Sequence, residues 1–203
     1  MLVRRMATVT ISAPGLAALA PEGQYGVGMT VLDMVKKKIL DQHVYSTQEW
    51  LEVLLRWVNT YPIVSVEDPF AEDDTPGMQA FTQAVGQRIQ VIGDDYLVTN
   101  AALIDAAARD KACNAVLLKP NQIGTLTETR QAMLSARAAG MRMVVSARSG
   151  ETEDTAIVHL ATGWNTGQLK VGSFARSERM AKWNEGIRIE ASDGFHGSLA
   201  RLC

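Results

Sequence analysis

The chain has 203 residues, of which 47% are hydrophobic, and a formal net charge of −2. That is one domain's length with enough apolar content for a sizeable core, and the near-neutral balance leaves no electrostatic basis for binding nucleic acid. No apolar run reaches the length that spans a bilayer, and the two cysteines, Cys113 and Cys203, make neither a disulfide framework nor a zinc site, so a reducing compartment such as the cytoplasm is expected.

In chain order, "ATVTI" (7–11) reads as a strand. Residues 21–45 fit no clear period and read as a loop with one irregular helix, with "KKK" (36–38) as a solvated face. "STQEWLEVLLRWVNTY" (46–61) opens with a capping box, Ser46 and Glu49, and continues with helical apolar spacing. Its apolar residues fall on more than one side, as in a buried barrel helix or a partner-facing surface. A strand follows in "PIVSVEDPF" (62–70), a helix in 75–86, a strand in "RIQVIGDD" (88–95) and a helix capped by Asn100. "NAVLLKPNQ" (114–122) is a strand, 126–140 a helix stopped by Gly140, and "MRMVVSARS" (141–149) a strand. A helix at 154–163, a short strand "GQLKVGS" (167–173) and a helix "ARSERMAKWNEG" (175–186) complete the pattern. Alternating strands and helices at this spacing imply a parallel sheet.

Chemistry gathers at the strand ends: Glu67, Asp94, Lys119, the Arg148–Ser149 pair and Lys170, in that order. A (β/α) barrel places its active site there. Carboxylates on neighbouring strands can hold a hard cation such as Mg²⁺. A partly desolvated lysine near cations can act as a base, and an Arg–Ser pair can bind phosphate or carboxylate. One Asp or Lys after a strand is ordinarily a cap or a solvated loop residue; five in register are harder to explain so. His159 lies on a helix and reads as a packing or surface residue, and His43 and His196 have no ligand-like spacing.

Five blocks in order, "IVSVEDPFAEDD" (63–74), "GDDYLVTN" (93–100), "LLKPNQIGTLTET" (117–129), "SARSGETEDT" (146–155) and "GQLKVGSFARSERMAKWNEGIRIE" (167–190), resemble enolase, the glycolytic lyase that interconverts 2-phosphoglycerate and phosphoenolpyruvate. The resemblance covers about residues 55 to 190. It implies an α/β fold, a partial (β/α) TIM-type barrel of the enolase C-terminal domain with about six strand–helix units. Residues 1–45 would be a divergent N-terminal segment of that one domain, 46–190 its barrel units and 191–203 a loose tail. The superfamily's known chemistry is a Lys or His base with Mg²⁺ stabilising an ene-diolate. By position, Glu67 and Asp94 resemble two of three Mg²⁺ carboxylates, Lys119 the base, Lys170 the lysine that steadies the enolate, and Arg148 and Ser149 the phosphate contacts.

Three departures accompany the resemblance. The family writes "SHRSGETED", with an active-site histidine where Ala147 stands. The third metal carboxylate belongs near residues 8–13, which read "TVTISA" without an acid, so Mg²⁺ binding is expected to be weak or absent. Nothing before residue 46 resembles the enolase N-terminal domain or the first part of its barrel. The expectation is therefore an open barrel with unpaired edges and wet inner side chains. Another polypeptide, or a homo- or hetero-oligomer, would close it, and the isolated chain would aggregate. The function expected is a structural or interaction element of a larger cytoplasmic assembly, cytoskeletal or other, without turnover of its own. The alternative is a divergent enolase acting on 2-phosphoglycerate. A third reading is a sensor that binds 2-phosphoglycerate or phosphoenolpyruvate through Arg148, Ser149 and Lys170.

Overall fold

A computed structural model describes residues 10–12, 24–26, 44–192 and 197. Six parallel strands form one sheet in the order β1 (Thr10–Ser12), β4 (Ser65–Glu67), β5 (Gln90–Gly93), β6 (Ala115–Leu118), β7 (Arg142–Ser146) and β8 (Gly167–Lys170). Helices α1 (Thr47–Thr60), α2 (Thr75–Val85), α3 (Ala101–Asp110), the one-turn α4 (Pro120–Ile123), α5 (Leu126–Ala138), α6 (Ala156–Gly163) and α7 (Ser177–Glu190) alternate with them. The expected partial (β/α) barrel is thus the observed fold. Among the described residues, β1 and β8 are paired on one side only.

Local sequence explains the elements. Ser46 accepts from the Glu49 N–H while Glu49 accepts from the Ser46 N–H at 2.8 Å, the capping box read from sequence. Asn100 caps α3 through the Ala102 and Leu103 amides. After α5, Gly140 sits at φ 69°, the left-handed conformation that ends a helix at little cost to glycine. Two expectations need correction. Residues 24–26, 44 and 45 are not loop: β2 (Gln24–Gly26) and β3 (Val44–Ser46) pair antiparallel. The last helix does not stop at Gly186 but runs to Glu190. The Lys36–Lys38 run and almost all of the tail lie outside the described residues.

The strands are apolar on both faces because both are covered. One face, with Val66, Val91, Val116, Leu118 and Val145, packs into a large cluster with Trp50, Met78, Phe81, Ile104 and Met133 of the helices. The other carries a small cluster of Ile92, Ala115, Leu117 and Val144, all at most 5% exposed. Wet inner side chains are therefore not observed there. The sheet curls so far that Lys170 on β8 hydrogen-bonds Glu67 on β4. On α1, Trp50, Val53, Leu54 and Val58 are buried, and Leu51, Leu55 and Trp57 pack against the same core, as a barrel helix requires.

Candidate active site

The parallel register brings four strand ends to one mouth. Glu67 ends β4, Asp94 follows β5, Lys119 follows β6 and Lys170 ends β8. Lys119 Nζ donates to Asp94 Oδ2 at 2.5 Å, and Lys170 Nζ donates to Glu67 Oε1 at 2.7 Å and Oε2 at 2.5 Å. Glu67, Asp94 and Lys119 are all buried. Charges removed from water in this way must be paired to be tolerated. The Thr99 hydroxyl, fully buried, accepts the Lys119 N–H at 3.0 Å and donates to Gln122 Oε1 at 2.7 Å. To reach that place the chain holds Val98 at φ 43° and Thr99 at φ 57°, a strained region for β-branched residues.

An acidic cluster lies beside these pairs. Asp68 accepts the Asp94 and Asp95 N–H groups, each at 2.7 Å, and lies at φ 41°, where Asp is better tolerated than most residues. Burial pushes its carboxyl up to about 7; the two amide hydrogen bonds pull it down, and the neighbouring charges of Asp94 and Glu67 push it up. One carboxylate oxygen from each of Asp68, Asp94 and Asp95 lies within 4.8 Å of the others. Asp94 Oδ1 is buried without a hydrogen-bond partner. An orphaned carboxylate oxygen amid further acids fits a hard cation. From sequence, Asp68 and Asp95 stand at strand ends beside Glu67 and Asp94, but only Asp94 of these three acids was expected to hold a metal. Glu67 stands apart, against Lys170. The strand position beside Glu67 belongs to Ser12, its register partner on β1, so an acid is absent from residues 10–12.

The loop after β7 carries the remaining predicted residues. Ala147 is buried, its methyl in the large core cluster, and its N–H donates to the Lys170 carbonyl at 2.9 Å. Arg148 and Ser149 are exposed. The Arg148 N–H donates to Glu151 Oε1 at 2.7 Å, and its guanidinium reaches the Asn121 carbonyl at 3.3 Å. Two buried cations on α7, Arg179 and Lys182, back this loop and were not anticipated from sequence. His159 is exposed and pairs with Glu185 at 2.9 Å, so it belongs to the surface; His43 and His196 lie outside the described residues. A groove lined by Thr82, Lys111, Cys113 and Asn114 lies at the opposite ends of the strands, away from this chemistry.

Comparison with known proteins agrees with this geometry. The family model for "Enolase, C-terminal TIM barrel domain" matches residues 22–200. The chain is 48% identical over 168 residues to an enolase of Ehrlichia chaffeensis, covering 81% of this chain and 40% of that protein. It is 49% identical over 156 residues to enolase 1 of Methylococcus capsulatus, covering 77% and 37%. It is 54% identical over 137 residues to an enolase of Anaplasma marginale, covering 68% and 32%. The chain thus spans about two fifths or less of these relatives' length. Six parallel strands, acids and lysines at their C-terminal ends and this match place the chain in the enolase family, as a member of its C-terminal TIM barrel domain.

Proposed function

We propose that this chain keeps the cation- and anion-binding face of an enolase barrel without turning over 2-phosphoglycerate by itself, and serves as a structural or interaction element of a cytoplasmic assembly. In this reading residues 1–203 form one domain whose open edges another polypeptide, or further copies, would cover. The observation that carries it is that both lysines are spent on the carboxylates. Lys119 can accept a proton only after it releases Asp94, and Lys170 can steady an oxyanion only after it turns from Glu67. Ala147, at the family's histidine position, offers no side chain for proton transfer, a loss of about 10²–10⁴ in rate where such a group takes part. Mg²⁺ held by Asp94 with Asp68 and Asp95, and by Glu67 once Lys170 releases it, would, when bound, offset the charge of an enolate. Arg148 and Ser149 would bind the phosphate.

The gathering of Glu67, Asp94, Lys119 and Lys170 at one mouth favours a second reading, a divergent enolase. A coupled assay of 2-phosphoglycerate dehydration in excess Mg²⁺, with the unmodified chain beside Ala147→His, separates the two. Turnover by the unmodified chain overturns the proposal. Turnover by Ala147→His alone supports it and assigns the silence to position 147. Turnover by neither supports it and assigns the silence elsewhere.

A further inference from the structure

Arg179 and Lys182 lie three apart on α7 and so share one face. Their exposures are 8% and 0%. Buried cations are rare unless their donors are used, and here most of the bonds go to one short loop. Arg179 Nη2 donates to the carbonyls of Arg148 at 2.7 Å and Ser149 at 3.2 Å, and Nη1 to the Val171 carbonyl at 2.9 Å. Lys182 Nζ donates to the carbonyls of Thr152 at 2.7 Å and Glu178 at 3.0 Å, and lies 3.1 Å from Glu151 Oε2. The other oxygen of Glu151 accepts the Arg148 N–H at 2.7 Å and the Asn121 side-chain amide at 3.1 Å. Asn121 lies two residues beyond Lys119. Three backbone carbonyls of residues 148–152 and one amide are therefore fixed from behind, while the side chains of Arg148 and Ser149 stay exposed.

We infer that Arg179 and Lys182 are positioning residues that set Arg148 and Ser149 for an anion, a phosphomonoester of a small hydroxy acid. The inference rests on the anion-binding role proposed above. The arrangement divides the labour of cations: Arg179 and Lys182 are buried against backbone carbonyls, whereas Arg148, whose guanidinium gives one bond to the Asn121 carbonyl, stays exposed. A preorganised loop binds an anion more tightly because the ordering cost is met in folding.

The test uses the full chain with Arg179→Met and Lys182→Met, and Arg148→Met as the variant that removes the anion contact itself. Amide hydrogen exchange across residues 148–152 is read against α3 as internal reference. Affinities for 2-phosphoglycerate and for Mg²⁺ alone are measured in parallel. The expected result is exchange at the Arg148 amide roughly tenfold faster and 2-phosphoglycerate bound roughly tenfold more weakly, as for one lost charge-assisted hydrogen bond. Protection in α3 and Mg²⁺ affinity stay as in the unmodified chain. If the methionine variants do not fold, Arg179→Lys keeps the charge but lacks the fork that reaches three carbonyls, and the same losses are expected in smaller measure. Unchanged exchange at 148–152 overturns the inference, and so does a proportional loss of α3 protection and Mg²⁺ binding, which marks a general support role. If the unmodified chain and Arg148→Met bind 2-phosphoglycerate alike, the anion-binding role is what fails, and the exchange measurement still decides whether α7 orders the loop.

Discussion

Lys170 and Glu67 are 103 residues apart and hold each other at 2.5 and 2.7 Å across the mouth of the curled sheet. Glu67 is almost fully buried, whereas the Lys170 side chain is 41% exposed. The lysine thus closes the mouth from its wet side and neutralises a charge on its dry side.

Lys170→Met is expected to destabilise the chain by about 1–2 kcal/mol, less than a fully buried pair would cost because water screens the exposed lysine. Mg²⁺ should recover part of that loss by supplying the missing positive charge. Denaturant midpoints with and without Mg²⁺ check this: the ion should raise the midpoint more in the variant than in the unmodified chain.

Gly93 sits at the turn into Asp94, and a Cβ there would lie 2.6 Å from Leu97 Cγ and Cδ1. Gly93→Ala must move Leu97, which is fully buried. A loss of about 1–3 kcal/mol is expected, in the range for overpacked cores. Because the displaced backbone carries Asp94, Mg²⁺ affinity should fall as well, as a metal titration by calorimetry would show.

Glu151 gives the acid side of the stability curve a specific shape. Burial works to raise its carboxyl, but the Arg148 amide, Lys182 and Asn121 together hold it below its ordinary value of 4.5. A depressed carboxyl contributes stability that is full above the unfolded value and is lost as pH falls through the folded one. Stability should therefore decline below about pH 4.5. Glu151→Gln should flatten that limb in unfolding curves measured from pH 3 to 7.

Cys113 is buried, and burial, with the charge of Asp68, pushes its thiol up to about 12. The thiolate is the reactive form. In a Cys203→Ser chain, a thiol reagent at pH 8 should label Cys113 only as fast as the fold opens, and at once in denaturant. Rapid labelling of the native protein would contradict its burial in the large core cluster.

The sequence made the strand ends legible because parallel strands end alike. Glu67, Asp94, Lys119 and Lys170 lie at successive strand ends, and they come together as two pairs, Lys119 with Asp94 and Lys170 with Glu67. Capping at Ser46 and Asn100 could be read for the same reason: it depends on residues two or three positions away. β2 and β3 could not, since three-residue strands carry too little alternation to register. Nor could Arg179 and Lys182 be told from solvated helix residues; their burial comes from a loop some thirty residues earlier in the chain. Asp68 and Asp95 were visible at the strand ends but received no role, because a neighbour in each doublet already had one.

The dependence of residues 148–152 on α7 also fixes an order of events. Strands β4 to β7 can pair as they are made, and Asn121 can hold Glu151 and Arg148, but the carbonyls of the loop after β7 lack their donors until Arg179 and Lys182 have been synthesised and buried. The mouth is likewise unsealed until Lys170 reaches back to Glu67. A nascent chain with its first strands folded would already hold the Asp94–Lys119 pair but leave Glu67 without Lys170 and the carbonyls of residues 148, 149 and 152 without their donors, so the face is completed only when β8 and α7 join it.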